Sequence, residues 1–278
     1  MNRACNNTLS VEKAFEDMVL NPEVAKKVAA FSEALNRDDT RHLLVEGKPG
    51  VGKTMLALRL GKASGFNTCY LVSSVCGGYH EDALDSLETY LNTISSKWLF
   101  IIEDADLLMR NRADATHQQK ALFELLLQAL AAKKGTIVIV AVTSRPEQID
   151  PEFLKLCDRI ELPEPSVQER RALLVRSVDT FLKKDRNLEF DEPSVFSFVY
   201  WFGRRPSKIT RPTIALDALT DDMLDMLACK LEGARGRDIF KFIWGLQSAA
   251  LGSEENCITA ELVQSMLKEW QLRHTIIA

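Results

Sequence analysis

The chain has 278 residues, 46% of them hydrophobic, with 35 basic against 39 acidic side chains and a formal net charge of −4. That length and composition suit one or two domains with a real core, and the slightly acidic balance argues against a general nucleic-acid binder. The six cysteines form no C-x-x-C pair, and no stretch approaches the ~20 apolar residues of a membrane-spanning helix, so structural zinc, a disulfide framework and a membrane span are not expected.

Residues 1–40 are mainly helical in pattern, with Asn21-Pro22 opening a helix through Leu35. Arg3 is soon followed by Glu12, Glu16 and Asp17, which does not suit a targeting peptide. His42-Leu43-Leu44-Val45-Glu46 then reads as a short buried strand, and an apolar helix is expected from Thr54 to Lys62. Between them, Gly47-Lys48-Pro49-Gly50-Val51-Gly52-Lys53-Thr54 fits G-x-x-x-x-G-K-[ST] at every fixed position. The glycines allow several backbone N–H groups to converge on one concavity, and a helix N-terminus behind it favours an anion. Lys53 would add a point charge for the β and γ phosphates, and the Thr54 hydroxyl would ligate Mg²⁺. These eight residues and the following Met55 are the expected binding site for ATP.

Further strands are expected at Thr68–Ser73, Trp98–Glu103, Thr136–Val142 and Arg159–Leu162, separated by amphipathic segments near 81–95, 117–132 and 150–156. Alternation of this kind predicts an α/β fold with a parallel sheet covered by helices on both faces. After Pro163-Glu164-Pro165 the pattern turns helical over 166–184, 191–202, 219–231, 236–251 and 259–273, interrupted by a polar connector from Gly203 to Asp217. The expected domains are therefore residues 1–164, with 1–40 as a helical lead-in, and a small all-helical domain over 165–278.

Three further sites carry chemistry. Leu99-Phe100-Ile101-Ile102-Glu103-Asp104 is an apolar strand ending in two acids; beside a phosphate loop, one acid can hold the metal shell and the other orient the attacking water. By this reading Thr54 and Glu103 serve Mg²⁺, and Glu103 and Asp104 are catalytic candidates. Ser144, following the fourth strand, could hydrogen-bond the γ-phosphate or the water. Arg159 either solvates a surface or, in a ring of such subunits, reaches a neighbour's γ-phosphate as an arginine finger.

The order of these motifs resembles the AAA family of P-loop ATPases. Gly47–Thr54 resembles its Walker A loop, Phe100–Asp104 its Walker B strand, and Val142-Thr143-Ser144-Arg145-Pro146-Glu147-Gln148-Ile149-Asp150-Pro151 its sensor-1 stretch. Asp158-Arg159-Ile160 is similar to the region of its arginine fingers, and Leu231–Ile239 to its lid segment, which implies a sensor-2 role for Arg237. Within the family, Glu103-Asp104-Ala105-Asp106 with Arg110 and Arg112, and Gly236-Arg237-Asp238, resemble the mitochondrial branch called ATPase family AAA domain-containing protein 3. The coiled coil and membrane segment of those proteins have no counterpart among these residues. The resemblance implies a P-loop NTPase domain followed by an AAA lid domain, with ATP between them. It also implies a ring homo-oligomer, expected to be a hexamer, that remodels a protein partner.

Four departures stand out. The acids read Glu103-Asp104 where Asp-Glu is usual, sensor 1 is Ser144 rather than Asn, and Lys155 or Leu156 stands near the first finger position. The pore loop is replaced by Val75-Cys76-Gly77-Gly78-Tyr79. The altered acids and sensor support an alternative, a nucleotide-gated assembly module with little or no hydrolysis. A DNA-linked ATPase would need a basic face, for which Arg204, Arg205, Lys208 and Arg211 are the candidates, so nucleic acid is not an expected partner. The expected protein is soluble and intracellular, in either the cytoplasm or the mitochondrion.

Overall fold

Five short strands pair side by side in the computed structural model, which describes residues 11–16, 18–36, 41–72, 96–132, 137–183, 214–216, 218–253 and 255–275. They are β1 (His42–Glu46), β2 (Asn67–Val72), β3 (Trp98–Glu103), β4 (Ile137–Thr143) and β5 (Cys157–Glu161). Their spatial order is β2-β3-β4-β1-β5, and every pairing is parallel. β1 and β4 are buried along their whole length, as strands covered on both faces must be.

Period-2 alternation divides the strand side chains between two apolar layers. Leu43, Val45, Leu99, Ile101, Val138 and Val140 pack with α2 (Pro22–Asn36) and α3 (Lys53–Ser64), joined by Phe15 of α1 (Val11–Phe15). Leu44, Phe100, Ile102, Ile139 and Ala141 pack on the other face with α4 (Ala105–Leu108), α5 (His117–Ala132) and α6 (Pro151–Leu154). Right-handed crossovers account for the division. The connection leaving β1 steps over β3 and β4 to reach β2, whereas β3 to β4 and β4 to β5 step the opposite way.

Local signals set the ends of the helices. Asn21 Oδ1 accepts from the Glu23 N–H at 3.0 Å, and Pro22 fills the first helical position of α2. Gly65, at φ +67, closes α3. Strand ends fall within two residues of the expected ones. The helix expected over 150–156 is a single turn, because Asp150 caps Pro151–Leu154 and the chain enters β5 at Cys157. The expected segments 81–95 and 191–202, the pore-loop replacement 75–79 and the basic positions 204, 205, 208 and 211 lie outside the described residues.

Contacts divide the chain at Pro163–Glu164 into two compact units. The second contains α7 (Val167–Val178), which runs on into a wider turn over Asp179–Lys183, then α8 (Asp221–Lys230), α9 (Gly236–Leu251) and α10 (Ala260–Thr275). A reciprocal Ser166–Glu169 box opens α7, with Glu169 N–H on Ser166 Oγ at 3.3 Å and Ser166 N–H on Glu169 Oε2 at 2.7 Å. Leu174, Leu227, Ile239, Ile243, Leu246 and Val263 form its core. Buried Arg170 ties the start of α7 to α8 by donating to the Ala228 carbonyl at 2.8 Å and to the Pro165 carbonyl at 2.8 Å.

Several polar side chains are buried inside the first unit, His42 among them. His42 is 9% exposed, stacks on Phe153 with ring centroids 6.1 Å apart, and accepts the Ile139 N–H on Nδ1 at 3.2 Å. Burial lowers its pKa from 6.5 to about 4. Between those values the unfolded chain binds the proton and the folded chain does not, so stability falls as the pH drops through that window, by about 3 kcal/mol in all. Urea unfolding of wild type and His42→Asn from pH 7 to pH 4 should show the variant losing less stability by roughly that amount. A wild-type-to-variant difference independent of pH would contradict the assignment.

Candidate nucleotide site

Because all five strands are parallel, the loops that follow them emerge along one edge of the sheet. The directions of connection diverge between β1 and β4, and crevices of open α/β sheets form at such a point outside the carboxyl ends. The loop after β1 is the glycine-rich run. Gly47 has φ +140, and a Cβ there would lie 2.5 Å from the Leu162 carbonyl oxygen, so only glycine can lead the chain out of β1. Gly52, at φ +108, turns the chain into α3. No side chain caps this helix and no acid lies in its first turn, which leaves the N-terminal dipole suited to an anion. Thr54 and Met55 lie half-buried in that first turn, and Lys48 and Pro49 are exposed on the loop.

Lys53 is buried, at 8% exposure. Its Nζ donates to the Gly47 carbonyl at 2.7 Å, to the Lys48 carbonyl at 3.0 Å and to Ser144 Oγ at 2.8 Å. An ammonium has three donors, and these contacts account for all three. A phosphate arriving in the loop must therefore take over at least one of them. Ser144 lies beyond the end of β4, 91 positions along the chain from Lys53, and the parallel β1–β4 register brings the two together.

The acids lie one strand further along. Glu103 ends β3 half-buried, and Asp104 is exposed in a left-handed conformation, φ 48 and ψ 47. Asp tolerates that region better than most side chains, which gives a backbone reason for the shorter acid at 104. Behind them is a brace that the sequence did not announce. Buried Asp106 accepts from Thr143 Oγ1 at 2.5 Å, and Thr143 Oγ1 accepts the Arg145 N–H at 2.9 Å. This chain ties the turn after β3 to the end of β4, on either side of Ser144. Asp150, also buried, caps α6 through Glu152 N–H at 2.9 Å and lies 3.4 Å from Arg112 Nε. Arg112 also pairs with Glu152 and Glu124. The sequence shows Asp106 only as part of the run Glu103-Asp104-Ala105-Asp106, and only strand pairing makes Thr143 its neighbour.

Arg159 lies on β5, next to β1, with its guanidinium on a carboxylate of its own chain. Nε is 3.0 Å from Glu46 Oε1 and Nη2 is 2.7 Å from Glu46 Oε2. Glu46 is the last residue of β1, directly before the loop, and its carbonyl accepts the Leu162 N–H at 2.8 Å. No sequence pattern marks Glu46, because its partner lies 113 positions away. Arg237 is the second residue of α9 in the second unit and is exposed.

Residues 43–164 match the family described as "ATPase family associated with various cellular activities (AAA)". That match covers 122 of the 278 residues, under half of the chain. It is similar to human ATPase family AAA domain-containing protein 3A, with 23% identity over 95% of this chain and 43% of the relative. The Drosophila melanogaster homolog of that protein is also 23% identical, over 90% of this chain and 40% of its own length. A Caenorhabditis elegans protein named "Mitochondrial sorting homolog" is 26% identical over 48% of this chain. The chain thus spans about two fifths of the length of the first two relatives. Leu43 to Glu46 of β1, the loop, the β3 acids, Ser144 and Arg159 all fall within the aligned residues. No helix among the described residues is long and apolar enough to cross a membrane.

The Glu46–Arg159 pair has a thermodynamic consequence. The Glu46 side chain is 10% exposed and that of Arg159 52%. Arg159→Ala leaves a buried carboxylate without its cation, which should cost about 1–2 kcal/mol after allowance for the half-exposed arginine. Most of that loss should return in Arg159→Ala/Glu46→Gln, measured by urea denaturation. Strictly additive effects of the two substitutions would show that the residues do not interact.

Proposed function

We propose that this AAA domain binds and hydrolyses Mg·ATP and works as a ring oligomer that remodels a protein partner. The observation that carries the reading is Lys53, held between the loop carbonyls and Ser144 at 2.7–3.0 Å at the edge where the β3 acids also emerge. In this reading Gly47–Met55 cradles the phosphates and Lys53 exchanges a carbonyl for a phosphate oxygen. Ser144 passes from Lys53 to the γ-phosphate or the attacking water, and Asp104 orients that water. The Thr54 hydroxyl and the Glu103 carboxylate are hard oxygen donors that fit Mg²⁺. Among the described residues no cluster of three or more His, Cys, Asp or Glu could hold a metal, so the ion would be held jointly with the phosphates, as is usual for Mg²⁺. When bound it supplies neutralisation of phosphate charge. Arg159 acts on the phosphate of a neighbouring subunit, and Arg237 of the second unit acts as sensor 2. A ring of six subunits and a protein substrate follow from likeness to the family.

A second reading, a nucleotide-gated assembly module with little turnover, is favoured by one specific feature, the left-handed backbone at Asp104. The shorter acid there draws the carboxylate back by about 1.5 Å, the length of a C–C bond. A displacement of ~1 Å in a catalytic group can cost on the order of a hundredfold in rate.

Two measurements test these readings. Mg·ATP at a hundred times its dissociation constant should stabilise the wild type by about 2.7 kcal/mol, and Lys53→Ala should show no such shift. Because Lys53 also ties the loop together, each protein is compared with its own ligand-free melting temperature; equal shifts in the two would end the nucleotide assignment. The exchange Glu103→Asp with Asp104→Glu should raise steady-state hydrolysis while lowering the melting temperature, since glutamate suits φ 48 less well than aspartate. A slower double variant would mean that the site is built around the reversed order.

A further inference from the structure

Glu46 combines three features that an ordinary surface acid lacks. Its side chain is 10% exposed and both carboxylate oxygens accept from Arg159, at 3.0 and 2.7 Å. Its carbonyl accepts the Leu162 N–H at 2.8 Å. It is also bonded to Gly47, whose backbone approaches Leu162 so closely that a Cβ would meet the carbonyl oxygen at 2.5 Å. The entry to the phosphate loop and the end of β5 therefore move together, with the Glu46 carboxylate between them. The pair is lopsided: the acid is enclosed, while the arginine, on an edge strand, is 52% exposed. A planar guanidinium that spends Nε and Nη2 on one carboxylate presents only its remaining edge to another anion.

We propose that Glu46 is a latch in cis for Arg159. It holds the guanidinium on its own subunit, and opening of the pair frees Arg159 to reach a phosphate bound by a neighbouring copy of the chain. Glu46 is then a positioning residue, acting only through Arg159, and any shift of the loop entry at Gly47 acts directly on the latch. The inference rests on the reading of Arg159 as a finger acting between subunits.

The test is a mixing experiment with Mg·ATP as the substrate. Arg159→Ala subunits keep a working pocket and lack the finger; Lys53→Ala subunits keep the finger and lack the pocket. Combined, two inactive proteins should regain ATPase activity. Replacing the donor by Lys53→Ala/Glu46→Gln should raise the regained rate about two- to five-fold at equal co-assembly, the factor a half-exposed ion pair commonly sets. The donor's own pocket is disabled in both mixtures, so a gain can come only through its arginine. Lys53→Ala/Glu46→Asp keeps the charge on a shorter arm and should fall between the two. It also decides the matter if the glutamine donor melts too low to use. Equal or lower recovery with the altered donors, alongside recovery with Lys53→Ala, overturns the latch and leaves the finger standing. No recovery with any donor, despite proven co-assembly, removes the finger and the latch with it.

Discussion

The arrangement depends on β1 being held on both sides, by β4 and by β5, in parallel register. Leu43 to Glu46 pair with Val140 to Thr143 on one side, and His42 to Glu46 pair with Cys157 to Glu161 on the other. The chain must then leave the sheet at Gly47, hemmed in by Leu162, and turn at once into α3. The loop, Ser144 and Arg159 are neighbours because β4 and β5 flank β1. A sheet with another strand order would keep every motif and scatter them.

Burial of four charged side chains at this edge is tolerated because each of the four has a partner. Lys53 has three oxygens, Glu46 has a guanidinium, Asp106 has the Thr143 hydroxyl, and Asp150 has a backbone amide and Arg112. Buried charge without such partners costs several kcal/mol. With them the edge becomes a preorganised polar surface in a poorly hydrated setting, where each contact is stronger than in water. Ligand binding there must exchange partners rather than create them, so a change at Lys53 or Glu46 is felt by the residues they release.

The departures from the family pattern also have a local physical side. Asp at 104 suits a left-handed turn that glutamate would adopt less readily, so the reversed acids are tied to the backbone path between β3 and α4. Ser144 has a short side chain with a single oxygen, and that oxygen meets Lys53 at 2.8 Å.

Much of this was legible in the sequence. Apolar runs of five to seven residues alternating with amphipathic segments lead to a parallel sheet, since each strand must be covered on both faces. The loop pattern is the basis of the proposed phosphate site, because glycine spacing and a following helix are both local features. Those are local properties, and periodicity and turn chemistry report them directly. Strand order, and therefore which carboxyl ends stand side by side, was settled only by tertiary packing. Glu46 and Arg159 lie 113 positions apart, and Thr143 and Asp106 lie 37 apart. Nothing in either segment alone marks them as partners. An exposed-looking arginine and an unremarkable glutamate become one unit because β5 pairs with β1, and that pairing is a property of the assembled sheet.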